Sequence, residues 1–284
     1  MNLTNIGTVK DILSRHGFSF SKGLGQNFII NPDICPKIAE NGNACEGFGV
    51  LEIGTGIGVL TAELAKRADK VVAVEIDERL LPILAETLAD FDNVKIINED
   101  VMKCDLHRLI DEEFAGLHVA VCANLPYYIT SPIIMMLLES RIPIDSITVM
   151  VQKEAAQRLC AKVGSRESGA ITVGVNYYGT VKNLFGVSRG SFMPAPNVDS
   201  AVIRIDLSKE KRLDEDSEKF FFKVVKAGFS QRRKTLANSL SSVMGISKEK
   251  VYSALKVQGL PEATRIEQLD MDKLIAVSAE LMKQ

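Results

Sequence analysis

Five short apolar runs, each followed by an amphipathic stretch of helical length, limit most strongly how this chain can fold. They cover residues 50–53, 71–75, 94–98, 119–123 and 147–151. Such alternation marks strand–helix–strand units, which build a parallel sheet with helices on its faces. In an open sheet of that kind the carboxyl ends of the strands share one edge, where ligands bind. Polar signals stand at four of these ends. Gly54 follows Val50-Leu51-Glu52-Ile53, Glu75 closes Val71-Val72-Ala73-Val74, Asp100 follows Val94 to Glu99, and Asn124 follows Val119 to Ala123. Their intervals of 21, 25 and 24 residues are each about one strand–helix unit, so one edge should carry all four.

Around this centre the organisation is simpler. Residues 1–48 read as helices and loops, with a polar segment Ser21-Lys22-Gly23-Leu24-Gly25-Gln26-Asn27 and a helix start at Asn31-Pro32-Asp33. Helices are expected over 58–67 and 78–89. Residues 170–178 are ambiguous: their β-branched content suits a strand, yet a helix would bury the same apolar positions. A final strand is expected over 198–207 and helices from Lys209 through Gln284, with a domain boundary near 207–213. The expected division is 1–208, with 1–48 closing the site, and a helical domain over 209–284.

Composition excludes several classes. No apolar run approaches membrane-spanning length, and the apolar fraction of 46% supports a proper core. Five scattered cysteines with no CxxC pair fit reduced thiols, and residues 1–22 lack a secretory pattern, so the expected compartment is the cytoplasm. His16, His107 and His118 fall in no nucleophile or metal-ligand pattern, and no metal is expected. Charge is divided unevenly. Residues 1–206 carry 19 Lys and Arg against 25 Asp and Glu, a net of −6; residues 207–284 carry 15 against 11, a net of +4. Lys219 to Lys234 holds six cations and no acid, which suits either a phosphate backbone or a solvated helix face.

The polar ends describe a nucleoside site. The Gly-rich turn Gly54-Thr55-Gly56-Ile57-Gly58 lets a ligand approach the backbone, but it departs from G-x-G-x-x-G, which weakens a dinucleotide reading. Glu75 offers two oxygens to a ribose diol, and Asp100 could accept an adenine amino proton; both residue types also cap helices. Asn124-Leu125-Pro126-Tyr127 presents a carboxamide, a stiff turn with a free carbonyl and an aromatic face. The Asn124 side-chain oxygen and the Leu125 carbonyl could accept both hydrogens of an exocyclic amine and turn its lone pair towards an electrophile. Tyr127 could stack on the base, for about 1–3 kcal/mol. Phe192, in the Pro-stiffened loop 190–196, would give a second stacking face for an extruded base or merely pack beneath the loop.

With these residues in view, the chain resembles the KsgA-type ribosomal RNA adenine dimethyltransferases. The shared stretches are Gly25-Gln26-Asn27-Phe28, the 52–58 loop, Val74-Glu75-Ile76-Asp77, Glu99-Asp100, Asn124 to Tyr127, Gln152-Lys153-Glu154, residues 192–200 and residues 229–236, in family order over nearly the whole length. The resemblance implies a seven-stranded, mostly parallel, Rossmann-like methyltransferase sheet with one reversed strand and a small helical C-terminal domain. It implies S-adenosyl-L-methionine as cofactor, held by Asn27, Ile29, Gly54, Gly56, Glu75, Ile76, Asp100, Val101 and Asn124. It assigns catalysis to Asn124, Leu125, Pro126, Tyr127 and Phe192, and RNA binding to Lys223, Lys226, Arg232, Arg233 and Lys234. The expected activity is N6-dimethylation of two adjacent adenosines near the 3′ end of small-subunit (16S) rRNA during subunit biogenesis, by a monomer. The family also implies a helix at 170–178.

Three departures from the family pattern stand out. Ile29 replaces the usual Leu. Thr55 replaces the Pro of Gly-Pro-Gly, a change read as loss of a fixed φ alone. Ser168 stands where many members carry an aromatic residue, which bears on the RNA contact expected of the 164–169 loop. The nearest alternative is a large-subunit (23S) rRNA adenine methyltransferase of the macrolide-resistance type; pI near 6 and the 229–236 match favour the small-subunit reading. A non-catalytic assembly factor is opposed by the intact loops, and an NAD oxidoreductase has only Gly54, Gly56 and Glu75 in its favour.

Overall fold

Two compact units make up the chain: residues 1–156 with 181–207, and residues 157–180 with 208–284. The computed structural model describes residues 1–21 and 23–283. Lys22, from the polar N-terminal segment, and Gln284, at the end of the expected helical tail, lie outside the described residues.

The first unit contains strands β1 (Phe28–Ile29), β2 (Phe48–Ile53), β3 (Lys70–Glu75), β4 (Val94–Asn98), β5 (His118–Asn124), β6 (Ser146–Gln152), β7 (Gly179–Val187, from Val181 on), β8 (Phe192–Met193) and β9 (Ser200–Leu207). Its helices are α1 (Ile6–Arg15), α2 (Ile34–Asn41), α3 (Val59–Ala65), α4 (Leu81–Thr87), α5 (Leu106–Glu113), α6 (Thr130–Glu139) and the start of α7 (Lys153–Leu159). Seven strands form one sheet in the order β4-β3-β2-β5-β6-β9-β7, and β1 pairs with β8 in a separate two-stranded ladder. Strands β2 to β6 pair in parallel, and β9 runs antiparallel to β6, the expected reversed strand. The chain steps outward from β2 to β4, then returns to the other side of β2 as β5. That reversal is a topological switch point, the place where open α/β sheets hold ligands. Register makes the edge level, because Ile53 lies opposite both Val74 and Ala123. The central strands are apolar on both faces, as strands covered by helices must be; Val50, Leu51, Val71, Val72, Ala120 and Val121 are fully buried.

Helix boundaries differ from expectation in ways that local chemistry explains. The helix expected from 78 starts as a single 3₁₀ turn, Glu78–Leu80, and becomes α only at Leu81. Pro82 has no N–H to give the Glu78 carbonyl, so an α-type bond cannot form there. At the second expected start, Asn31 Oδ1 accepts from the Asp33 N–H at 3.0 Å, making a local turn, and α2 begins at Ile34.

The second unit holds α8 (Ala170–Tyr178), α9 (Glu215–Ser230), α10 (Leu236–Met244), α11 (Lys248–Val257) and α12 (Met271–Met282). Four of these starts are capped by side-chain oxygens: Asp214, Thr235, Ser247 and Asp270 each accept from the N–H three residues on. Residues 170–178 are helical despite their β-branched content, as the resemblance implied. Burial on several sides decides it, since Val173, Val175, Tyr177 and Tyr178 are all buried. Segment 157–180, expected in the first domain, groups instead with the C-terminal helices. The cause is aromatic packing. Tyr177 stacks on Phe221 at 5.2 Å between centroids, Tyr178 stacks on Phe222 at 5.5 Å, and both tyrosine hydroxyls donate to Glu218. Ser168 is fully buried in this unit, so its position is interior packing rather than an RNA contact.

Candidate functional site

The level edge of the first unit opens into a cleft lined by the ends of β2, β3 and β5 and by the N-terminal segment. Its floor is the Gly-rich turn. Gly54 has φ +76°, Gly56 +55° and Gly58 +87°, a region where a Cβ is strained, so only glycine keeps this turn tight without cost. At Gly56 an added Cβ would also come within 3.1 Å of the Phe28 ring.

Glu75, buried at the end of β3, is held by three donors. Its Oε2 accepts from the Thr55 N–H at 2.9 Å and the Thr55 hydroxyl at 2.8 Å; its Oε1 accepts from the Asp77 N–H at 2.9 Å. The sequence reading of Thr55 as loss of a fixed φ alone is therefore incomplete. Proline could supply neither of the two bonds that Thr55 makes. Asp100 lines the cleft and turns one oxygen, Oδ1, to the Met102 N–H at 3.0 Å. Ile76 is half exposed on the cleft, and Val101 is buried in its wall.

The N-terminal segment closes on the same edge. Gln26 donates to Asp77 at 2.7 Å, and Asn27 accepts at its main-chain carbonyl from Asn124 Nδ2 at 3.2 Å. With its nitrogen engaged, Asn124 keeps Oδ1 as an acceptor towards the cleft. Leu125 is tied to β6 through its N–H and the Met150 carbonyl at 3.2 Å, and among the described residues nothing donates to its own carbonyl. The Pro126 carbonyl accepts from the Ile129 N–H and the Thr130 hydroxyl, both at 3.2 Å, which fixes the turn into α6. Tyr127 is half-buried, its hydroxyl hydrogen-bonded to that of Ser200 at 2.7 Å. Burial chiefly raises its phenol pKa.

Of the residues expected at the site, all but one line this cleft: Asn27, Ile29, Gly54, Gly56, Glu75, Ile76, Asp100, Val101, Asn124, Leu125, Pro126 and Tyr127. Phe192 does not. It sits in β8 opposite Ile29, is 3% exposed and belongs to the core, so in this conformation it offers no free face. Tyr128, which the sequence reading passed over, lines the cleft with 62% of its surface exposed. Nothing in the sequence separates it from its neighbour Tyr127; only the direction of the turn does. The five expected RNA-binding cations lie in the second unit and are all exposed. Lys223 and Lys226 share a face of α9, and Arg232 donates to the Arg166 carbonyl at 2.7 Å. Among the described residues no cluster of His, Cys, Asp or Glu could hold a metal, and no helix is long and apolar enough to cross a membrane.

Glu52 was also missed. It is fully buried on β2 at the wall of the cleft, and neither carboxyl oxygen has a partner among the described residues. Burial pushes its pKa up to about 8; the nearby Thr61 hydroxyl opposes the rise, and the charge of Glu75 adds to it.

Comparison with known proteins gives a consistent set of likenesses. Residues 17–283 match the model of a family described as ribosomal RNA adenine dimethylase. A ribosomal RNA small subunit methyltransferase A from Geobacillus thermodenitrificans is 50% identical over 280 residues, covering 97% of this chain and 96% of that protein. One of the same description from Alkaliphilus oremlandii is 44% identical over 276 residues, 97% of this chain and 96% of its own length. Among solved structures, a dimethyladenosine transferase from Plasmodium falciparum superposes with a TM-score of 0.72 at 25% identity, covering 90% of this chain and 98% of that one. The 23S rRNA methyltransferase ErmE gives 0.69 at 26%, covering 90% and 100%.

The buried Glu52 generates a prediction about stability. Folding favours its neutral form, while the unfolded chain ionises it near the ordinary value of 4.5. Its stabilising contribution is therefore full below that value and is lost as pH rises through about 8. Thermal unfolding midpoints followed from pH 5 to pH 8.5 should fall less steeply in Glu52→Gln than in the wild type. Parallel curves would show that Glu52 does not titrate in this window.

Proposed function

Since the chain belongs to the ribosomal RNA adenine dimethylase family, we propose that it methylates N6 of two adjacent adenosines near the 3′ end of small-subunit (16S) rRNA, using S-adenosyl-L-methionine. The observation that carries the reading is a cleft where a nucleoside-binding wall meets an acceptor pair with no donor between them. The curated relatives named for the small subunit favour that substrate over the large-subunit alternative. Action as a monomer on ribosomal RNA in the cytoplasm belongs to the same proposal.

The residues fit the cofactor. Glu75 keeps an acceptor site for a ribose hydroxyl, and exposed Ile76 gives an apolar face for the adenine ring. Asp100 Oδ2, ion-paired with Lys103 at 3.8 Å but without a hydrogen bond, can accept from an adenine amino group. When bound, the cofactor supplies a methyl group on a positively charged sulfur. Everything else is done by the chain. Asn124 Oδ1 and the Leu125 carbonyl accept the two hydrogens of the target amine, which pulls its nitrogen from planar towards tetrahedral and exposes the lone pair. The anchored turn holds both acceptors in place, so the gain is in proximity and orientation. No strong base is required, because the methylated nitrogen becomes acidic enough to release its proton to water. His16, His107 and His118 are engaged elsewhere, with Glu86, the Ser140 carbonyl and Asp145.

Tyr127 stacks on the base from within the cleft, and Tyr128 presents the exposed aromatic surface at its edge. Phe192 joins the stack only if β8 moves. Lys223, Lys226, Arg232, Arg233 and Lys234 contact phosphates, which position a structured RNA without reading its sequence.

Three measurements test this reading on unmethylated small subunits with radiolabelled cofactor. Asn124→Ala should lower kcat by at least about a hundredfold, the scale of losing a preorganised polar contact in a transition state; retained turnover removes Asn124 from the chemistry. Tyr128→Ala should raise KM several-fold with little change in melting temperature, while Phe192→Ala should lower the melting temperature first; the reverse pattern would restore Phe192 as the accessible stacking face. Replacing Arg232, Arg233 and Lys234 together by Ala should weaken RNA binding and reduce its salt slope by about 2–3. An unchanged slope would return these cations to an ordinary solvated face.

A further inference from the structure

As its hydrogen bonds stand, Glu75 cannot take both hydroxyls of a ribose. A carboxylate offers about four lone-pair sites, two on each oxygen. On Oε2 both are filled, by the Thr55 N–H at 2.9 Å and the Thr55 hydroxyl at 2.8 Å. On Oε1 one is filled by the Asp77 N–H at 2.9 Å. A single site remains. A vicinal diol needs two, so one donor must leave.

Two of the three donors are main-chain groups and cannot turn. The Thr55 N–H follows Gly54, which is itself bonded to the Val74 carbonyl at 2.9 Å, and the Asp77 N–H lies in the turn that opens the next helical segment. The third donor is a hydroxyl with one rotatable proton. It also has somewhere else to go: the Gly56 carbonyl lies 3.3 Å from Thr55 Oγ1. Thr55 is 6% exposed, so its hydroxyl must find a protein or ligand partner rather than bulk water.

We infer that the Thr55 hydroxyl is a placeholder for one ribose hydroxyl, donating to Glu75 in the free protein and turning to the Gly56 carbonyl when a vicinal diol enters. The inference rests on reading the cleft as the cofactor site. It makes Thr55 a positioning residue: it keeps the buried Glu75 satisfied without ligand and sets how much of the diol's binding energy goes into displacing it. The displacement is needed only for a diol. A sugar with one hydroxyl uses the free site on Oε1 and leaves Thr55 where it is.

The test is calorimetric titration of the full chain with S-adenosylhomocysteine and with its 2′-deoxy and 3′-deoxy analogues. Thr55→Val keeps the shape and the main-chain donor but removes the hydroxyl. It should bind S-adenosylhomocysteine about two- to tenfold more tightly than the wild type, the range of one net hydrogen bond. Either deoxy analogue should abolish that gain, and Thr55→Ser should stay within about twofold of the wild type for every ligand. A merely structural role for Thr55 would shift all three ligands together. Weaker or unchanged binding by Thr55→Val, or a gain that persists with the deoxy sugars, overturns the placeholder while leaving the cofactor site intact. Failure of the wild type to bind S-adenosylhomocysteine overturns the cofactor reading and this inference with it.

Discussion

The shared register of three neighbouring strands is the constraint on which the rest depends. Ile53 on β2 lies level with Val74 on β3 and Ala123 on β5, so the residues just beyond them leave the sheet at one height. A slip of one residue in either pairing would turn every side chain on that strand to the opposite face. Glu75 would then lose Thr55, and Asn124 would lose the Asn27 carbonyl. Full burial of the central strands makes such a slip costly, because it would exchange apolar contacts on both faces at once. The site inherits its precision from a hydrophobic register and only its chemistry from the polar residues.

Much of this was legible in the sequence, for a physical reason. Strand ends in a parallel sheet are fixed by the apolar runs before them, and those runs end visibly at Gly54, Glu75, Asp100 and Asn124. What stayed hidden depends on groups distant in sequence. Phe192 reads as an aromatic in a stiff loop, yet its pairing with Ile29 buries it. Ser168 reads as a loop residue in the place of a family aromatic, yet it lies in the interior of the second unit. Residues 170–178 carry strand propensity, and only the aromatic packing of Tyr177 and Tyr178 on Phe221 and Phe222 explains why the helix wins. Propensity is a weak prior when a segment is buried on several sides.

Glu52 and Glu75 show how neighbouring strands can give one residue type two different environments. Glu75 reaches the strand end, where the next turns supply three donors. Glu52 stops two residues short of its turn and lies among buried neighbours: Thr61 from α3, Cys35 from α2, and Cys122 from β5, directly opposite in the ladder. Each cysteine thiol is pushed up, first by its own burial and then by Glu52. A neutral carboxyl at this position avoids a buried charge in the wall of the cleft. Moving the strand end by two residues would reverse the two environments.

The acceptor pair at Asn124 and Leu125 follows the same logic of satisfied and unsatisfied groups. In the proposed reaction, a site that protonated its target amine would block the lone pair it needs, so donors would be harmful there and acceptors useful. The nitrogen of Asn124 is bound to the Asn27 carbonyl, so the oxygen is what remains for that proposed role. Leu125 contributes no polar side chain at all. Its carbonyl has no donor among the described residues because the Pro126 carbonyl, not the Leu125 one, starts the bonding of α6. The N-terminal segment acts through the one carbonyl it brings to Asn124. Detaching that segment would free the Asn124 nitrogen to rotate into the cleft and place a donor where the proposed chemistry calls for an acceptor.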